Sequence, residues 1–144
     1  MGVISLYLVL IWVYFRDSGD RTVLHWSAYN GTLAITRCAL LFGANVEAID
    51  ASGDTALHWA CIKANFATIR MLILGLAGDG YKSLLEAKDA ELRTPRDWLE
   101  VSWGPEFVKA FDEIVRIREI KDSGISWPWH RENSTVYTVN LFLF

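Results

Sequence analysis

Cysteine is scarce in this 144-residue chain: Cys38 and Cys61 are the whole complement. They form no Cys-x-x-Cys pair and stand in no histidine-cysteine run at zinc spacing, so the pattern gives neither a disulfide framework nor a structural metal cluster. Both fall inside helical patterns, where a free cysteine acts as a small buried apolar side chain. A reducing, cytoplasmic setting fits. Positive charge is not concentrated anywhere either. Fourteen basic residues against 17 acidic ones leave a net charge of −3 without a basic stripe, which argues against nucleic acid as a partner. No Ser-His-Asp arrangement, phosphate-binding glycine loop or Glu-x-x-His helix is present. No catalytic residue, metal ligand set or cofactor is therefore assigned.

Long hydrophobic runs are also missing. Hydrophobic content is 52%, and much of its excess sits at the two ends, in "VISLYLVLIWVYF" (3–15) and "VYTVNLFLF" (136–144). As a helix the first run would reach ~20 Å, short of the ~30 Å core of a bilayer. No basic residue precedes it, as a signal peptide would require, and Leu6 stands where a myristoylation signal wants serine or threonine. Residues 1–16 read as an incomplete repeat helix or flanking sequence, with a membrane anchor as the alternative. The chain stops inside the second run, so 122–144 read as a tail cut short.

What the sequence does have is a repeat. Thr22, Leu24, His25 and Trp26 recur as Thr55, Leu57, His58 and Trp59, each 33 positions later, and Asp17 recurs as Asp50. Reactive groups have no reason to be copied at fixed spacing, whereas stacking units do. Thr22, Thr55 and Thr94 stand where a hydroxyl can cap a first helix, and Pro95 fits the first helical position. Leu24 and Ala28, like Leu57 and Cys61, share a helical face. Gly31 allows the chain to reverse, Ile35, Ala39 and Leu40 face inward on a second helix, and Gly43 ends it. Ala64 takes the place of the inter-helix glycine, in a helix-like turn.

The unit, Asp-x-x-Gly-x-Thr then Leu-His-Trp-Ala and a closing Gly-Ala, resembles the ankyrin repeat. The carrying segments are "TVLHWSAYNG…LLFGANVEAID" and "DASGDTALHWACIKAN…IRMLI", with a third unit opening at "DAELRTPRDWLE", where Asp97-Trp98 replaces His-Trp. The expectation is an all-α solenoid of about three helix-turn-helix units (17–49, 50–88 and 89–121) with hairpin fingers. A C-terminal capping helix follows, with Phe107, Phe111, Ile114 and Ile117 on its buried stripe and an Asp112–Arg116 pair outside. Leu74 to Asp89 spans 15 positions where Leu41 to Asp50 spans 9, so the finger between units two and three is expected to be lengthened.

The doubled histidine has a structural role in the family: the ring ties the first helix to the neighbouring loop. Along the chain neither His25 nor His58 has carboxylate or thiolate partners that would make it a metal site. His130 is isolated. "NGT" (30–32) and "NST" (133–135) match the glycosylation sequon, a weak signal. Tryptophan at 26, 59 and 98 departs from the generic repeat. An indole supplies large apolar area and one N–H donor, suited to anchoring a peptide.

The tandem His-Trp phrases further resemble the ankyrin segment of the membrane-bound Asp-His-His-Cys palmitoyltransferases. That resemblance implies recruitment of substrates through short extended proline-containing motifs. It implies that Asn30 and Trp59 grip them, although the interval between the two is one residue shorter than in the family. Trp26, Trp98 and the 75–83 insertion with Tyr81 complete the expected partner-binding set. The chain carries no Asp-His-His-Cys motif, so it cannot itself transfer an acyl group. A monomer that binds a protein or short peptide is expected, in the cytoplasm or on the cytosolic face of a membrane. Membrane association would run through the terminal apolar segments.

Overall fold

The computed structural model describes residues 2–124, with side chains from Tyr7 onward. His130, the second sequon and the C-terminal apolar run lie outside them. Each first helix begins at a capping threonine: α2 (Val23–Asn30) after Thr22, α4 (Ala56–Ile62) after Thr55, and α7 (Pro95–Trp103) after Thr94. Between them run α3 (Leu33–Leu41), α5 (Phe66–Leu74) and α6 (Gly80–Glu86), preceded by α1 (Gly2–Tyr14) and followed by α8 (Pro105–Asp122). The described residues are all helix and turn, as an all-α solenoid requires. The helix α4 packs between α2 and α7, and α5 packs against α3 and α8.

Small residues set the spacing of the first helices. Ala28, Ala60 and Cys61 are fully buried, so α2 and α4 approach closely, with Leu24, Leu57 and Leu99 filling the layer. Each such leucine contributes roughly 1.5–3 kcal/mol by leaving water. At the other end the units touch through their fingers, where Ala51 N–H donates to the Gly19 carbonyl and Ala90 N–H to that of Ser52, both at 2.9 Å.

Four expectations about packing need correction. On α3 the buried residues are Thr36 and Ala39, while Ile35 is 37% exposed. The rotation follows from the Thr36 hydroxyl, which donates to Ser27 Oγ at 2.8 Å and turns that edge toward α2. On α8 the buried side chains are Val108, Phe111, Ile114 and Arg118, and both Phe107 and Ile117 are exposed. Asp112 does not pair with Arg116. It takes a bidentate contact from Arg96 on α7 at 2.8 and 2.9 Å, and Arg116 turns to Glu113. Finally, the residues added between units two and three do not lengthen a finger: they fold into α6, whose Tyr81 and Leu84 are 1% exposed. Two apolar side chains in the added segment fill the space beside α5 and α7, which a solvated hairpin would have left open.

The turn between α4 and α5 keeps the left-handed position of its counterpart with a different residue type. Gly31 ends α2 at φ +70°, and Ala64, 33 positions on, adopts φ +53° in the left-handed region rather than the helix-like turn expected. A side chain there is disfavoured by roughly 1–2 kcal/mol. Ala64→Gly should therefore raise stability by about 0.5–1 kcal/mol net of the glycine's greater unfolded-state freedom, read from urea unfolding midpoints.

Candidate functional site

Three aspartates build the face that the first helices present. In each finger one carboxylate oxygen closes the turn and the other holds a tryptophan nine residues later. Asp17 Oδ1 accepts the N–H groups of Gly19 and Arg21 at 2.9 and 3.0 Å, and Oδ2 accepts the Trp26 indole at 2.9 Å. Asp50 does the same with Ser52, Asp54 and Trp59, all at 2.9 Å. Asp89 takes Glu91, Arg93 and Trp98. Partial burial opposes ionisation of Asp17, but the Arg21 N–H, the indole and the remaining donors outweigh it and hold the acid at about 2. For Asp89 burial is likewise overcome by the Arg93 N–H and the Trp98 indole, and its carboxyl lies below the usual range. All three indole donors are therefore engaged within the fold. Only their ring surfaces are open to a partner, so the expectation of a free indole donor is corrected.

Those rings come together across units one and two. Tyr29 and Trp59 are 5.3 Å apart, Trp26 and Trp59 5.7 Å, and Trp26 and Tyr29 6.2 Å, all edge to face. Such pairs fix ring orientation and contribute about 0.5–1.5 kcal/mol beyond area. Trp26 is 40% and Tyr29 38% exposed, and Trp59 is half-buried between them. Cations sit on the cluster: the Arg21 guanidinium lies 4.7 Å from the Trp26 ring, and Lys63 Nζ lies 4.4 Å from the Tyr29 ring. Farther along, Arg93 caps Trp98 at 4.6 Å. The result is an aromatic ledge flanked by two cations, of which Arg21 is also paired with Asp17 at 2.9 Å.

Of the expected partner-binding residues, Trp26 and Asn30 are exposed and Trp59 and Trp98 half-buried. Tyr81 is not available, since its ring lies beneath the Arg118 guanidinium, 4.6 Å from the centroid. Sequence reasoning missed Tyr29, Arg21 and Lys63. Tyr29 was findable, because it follows Trp26 by three and so shares its face. Asn65 was also missed. Its Nδ2 donates to the Ala28 and Tyr29 carbonyls at 2.6 and 3.0 Å and fastens the end of α2 to the next unit.

The two histidines brace this face from behind. His25 Nδ1 accepts the Thr22 N–H at 3.0 Å, and Nε2 lies 2.8 Å from the Asp54 carbonyl. His58 repeats the arrangement with the Thr55 N–H at 3.0 Å and the Arg93 carbonyl at 3.0 Å. A backbone N–H can only donate and a carbonyl only accept, so each ring is neutral with its proton on Nε2. Burial pushes both imidazoles below their ordinary value, with the carbonyl bonds opposing more weakly. In unit three Asp97 Oδ2 caps Thr94 N–H at 2.9 Å, the capping half of the device.

One expectation about chemistry also changes. His58 does have carboxylate neighbours, for Asp54, His58 and Asp89 place ligand-type atoms within 4.8 Å of one another. Both ring nitrogens of His58 are already engaged, so the trio does not offer three free metal ligands. Cys61 is buried as expected, which pushes its thiol far up and leaves it inert as a nucleophile, whereas Cys38 on α3 is exposed rather than buried.

The comparisons agree with this geometry. A family model described as ankyrin repeats, in three copies, matches residues 5–81. Palmitoyltransferase AKR1 of Debaryomyces hansenii is 29% identical over 127 residues, covering 88% of this chain and 14% of that protein. Palmitoyltransferase AKR1 of Candida albicans is 35% identical over 57 residues, 40% of this chain and 7% of its own length. Inversin of Mus musculus is 30% identical over 80 residues, 56% of this chain and 8% of its own. The chain thus spans a small part of the curated relatives it matches. Paired helices at a 33-residue interval, fingers braced by a repeated histidine and a family match over more than half of its length lead to one conclusion: the chain belongs to the ankyrin repeat family.

Proposed function

We propose that this chain is a protein-interaction module that docks an extended peptide on the face formed by its first helices and fingers. The ledge of Trp26, Tyr29 and Trp59 carries the reading. Trp26 and Trp59 are oriented by their aspartate bonds, and Tyr29 by its edge-to-face contacts with both, before any partner arrives, so little rotamer freedom is lost on binding. Asn30 lies at the open end of the same helix as Tyr29, and Trp98 continues the row toward unit three. The finer reading is that the chain is the substrate-recruiting segment of a membrane-bound protein S-palmitoyltransferase. The match of 88% of this chain to Palmitoyltransferase AKR1 supports it. That reading places the chain on the cytosolic face of a membrane, although no helix among the described residues is long and apolar enough to cross one.

An array of extended proline-containing peptides, probed with the purified chain, tests the site. Trp59→Ala and Asn30→Ala should each lower retention of the bound peptides, by about tenfold or more for Trp59 as a central aromatic anchor. Trp59→Phe keeps ring area without the bond to Asp50 and should recover part of the loss. Unchanged binding in Trp59→Ala and Asn30→Ala would move the site elsewhere.

A further inference from the structure

Behind the ledge, units two and three meet at a pair of acids with one unexplained atom. Asp54 is only 9% exposed and its Oδ1 is buried with no hydrogen-bond donor, while carboxylate oxygens of Asp54 and Asp89 lie within 4.8 Å. The two differ in what surrounds them. Asp89 receives three donors, from Glu91, Arg93 and the Trp98 indole, which favour its ionised form. None of the described ion pairs includes Asp54. A buried carboxylate without a donor is costly, and two carboxylates side by side cannot both remain charged cheaply.

We propose that Asp54 holds a proton that it donates to the Asp89 carboxylate, making a proton-dependent joint between the second and third units.

The surroundings support that division of roles. Asp50 from the same finger and Glu91 from the next add negative charge, and neutral His25 and His58 face the pair from α2 and α4. Arg93, the nearby cation, is turned to Glu91 and the Trp98 ring. Burial, then Asp50 and Asp89, raise the Asp54 carboxyl to about 7. A folded value above the unfolded one means that the stabilisation is complete at low pH and is lost as pH rises through about 7. The proton then leaves to solvent and two carboxylates repel across the joint. Asp50 and Asp89 are the residues that hold Trp59 and Trp98, so the spacing of those indoles follows the same equilibrium.

The test uses the whole 144-residue chain. Asp54→Asn, whose amide donates permanently, keeps every imidazole of the wild type, so comparing the two cancels histidine titration. Between about pH 6 and about pH 8 the melting temperature of the wild type should fall by about 4 °C relative to that of Asp54→Asn. Infrared spectroscopy gives a readout independent of stability: a protonated carboxylic acid band that titrates over this range and is absent from Asp54→Asn. Melting temperatures of wild type and Asp54→Asn that move together over this range, or a wild type lacking the band near about pH 6, would overturn the proposal. So would a rise in melting temperature on adding Ca2+, Mg2+ or Zn2+ that Asp54→Asn abolishes, because a cation would then occupy the proton's place.

Discussion

Arg118→Met lowers the stability of the stack by about 3–5 kcal/mol, the cost of leaving several buried carbonyls without a donor. Arg118 is 3% exposed, although its place on a charged helix suggests a wet surface. Its Nη1 donates to the carbonyls of Ile73, Leu74 and Leu76 at 3.1, 3.2 and 2.6 Å, and Nη2 to that of Gly78 at 2.7 Å. Helix α5 ends here, where the last carbonyls have no intrahelical partner and the helix dipole is negative. One planar guanidinium therefore closes α5, anchors the loop into α6 and covers Tyr81. Methionine fills similar volume and leaves the carbonyls bare. Arg118→Lys should recover only part of the loss, since an ammonium cannot span four acceptors in a fork. Urea unfolding followed by circular dichroism measures both, and hydrogen exchange should show α6 opening first.

His58→Ala is expected to cost about 3–4 kcal/mol. The ring caps α4, worth about 1 kcal/mol, and also satisfies the Arg93 carbonyl, which removal leaves without its donor. It further leaves a cavity beside Leu57. Thr55→Ala isolates the hydroxyl's share and should cost about 1 kcal/mol. Against a total near 5–15 kcal/mol, His58→Ala should leave units two and three only marginally joined. The linkage has a definite sign. Both histidines are held below their unfolded value, so their contribution is present above about pH 6.5 and is lost as pH falls through the folded values. Asp54 works in the opposite sense, losing its contribution as pH rises through about 7.

Short-range features were legible in the sequence. Thr22, Thr55 and Thr94 cap helices, Gly31 and Gly43 take left-handed turns, and the interval between His25 and His58 reports the stack, because each depends on neighbours a few residues away or on simple copying. The aspartate brackets were half-legible: the recurrence of Asp17 as Asp50 is plain, but the indole as the second partner is not. What escaped depends on distant partners. Arg118 meets acceptors 40 or more positions away, Asp112 meets Arg96 sixteen away, and Tyr81 packs into the shared core beneath Arg118 of α8. A helical wheel cannot place such residues. Tyr81 is the instructive miss, for an aromatic in an added segment invites a binding role that packing removes.

The account rests on the doubled histidine being a brace between units. Nitrogen-detected NMR of the imidazoles during an acid titration tests this most directly. Both His25 and His58 should appear as neutral rings protonated on Nε2, with matching nitrogen shifts, and should stay so well below the pH at which a free imidazole takes up a proton. An ordinary titration at either ring, or a proton found on Nδ1, would contradict it.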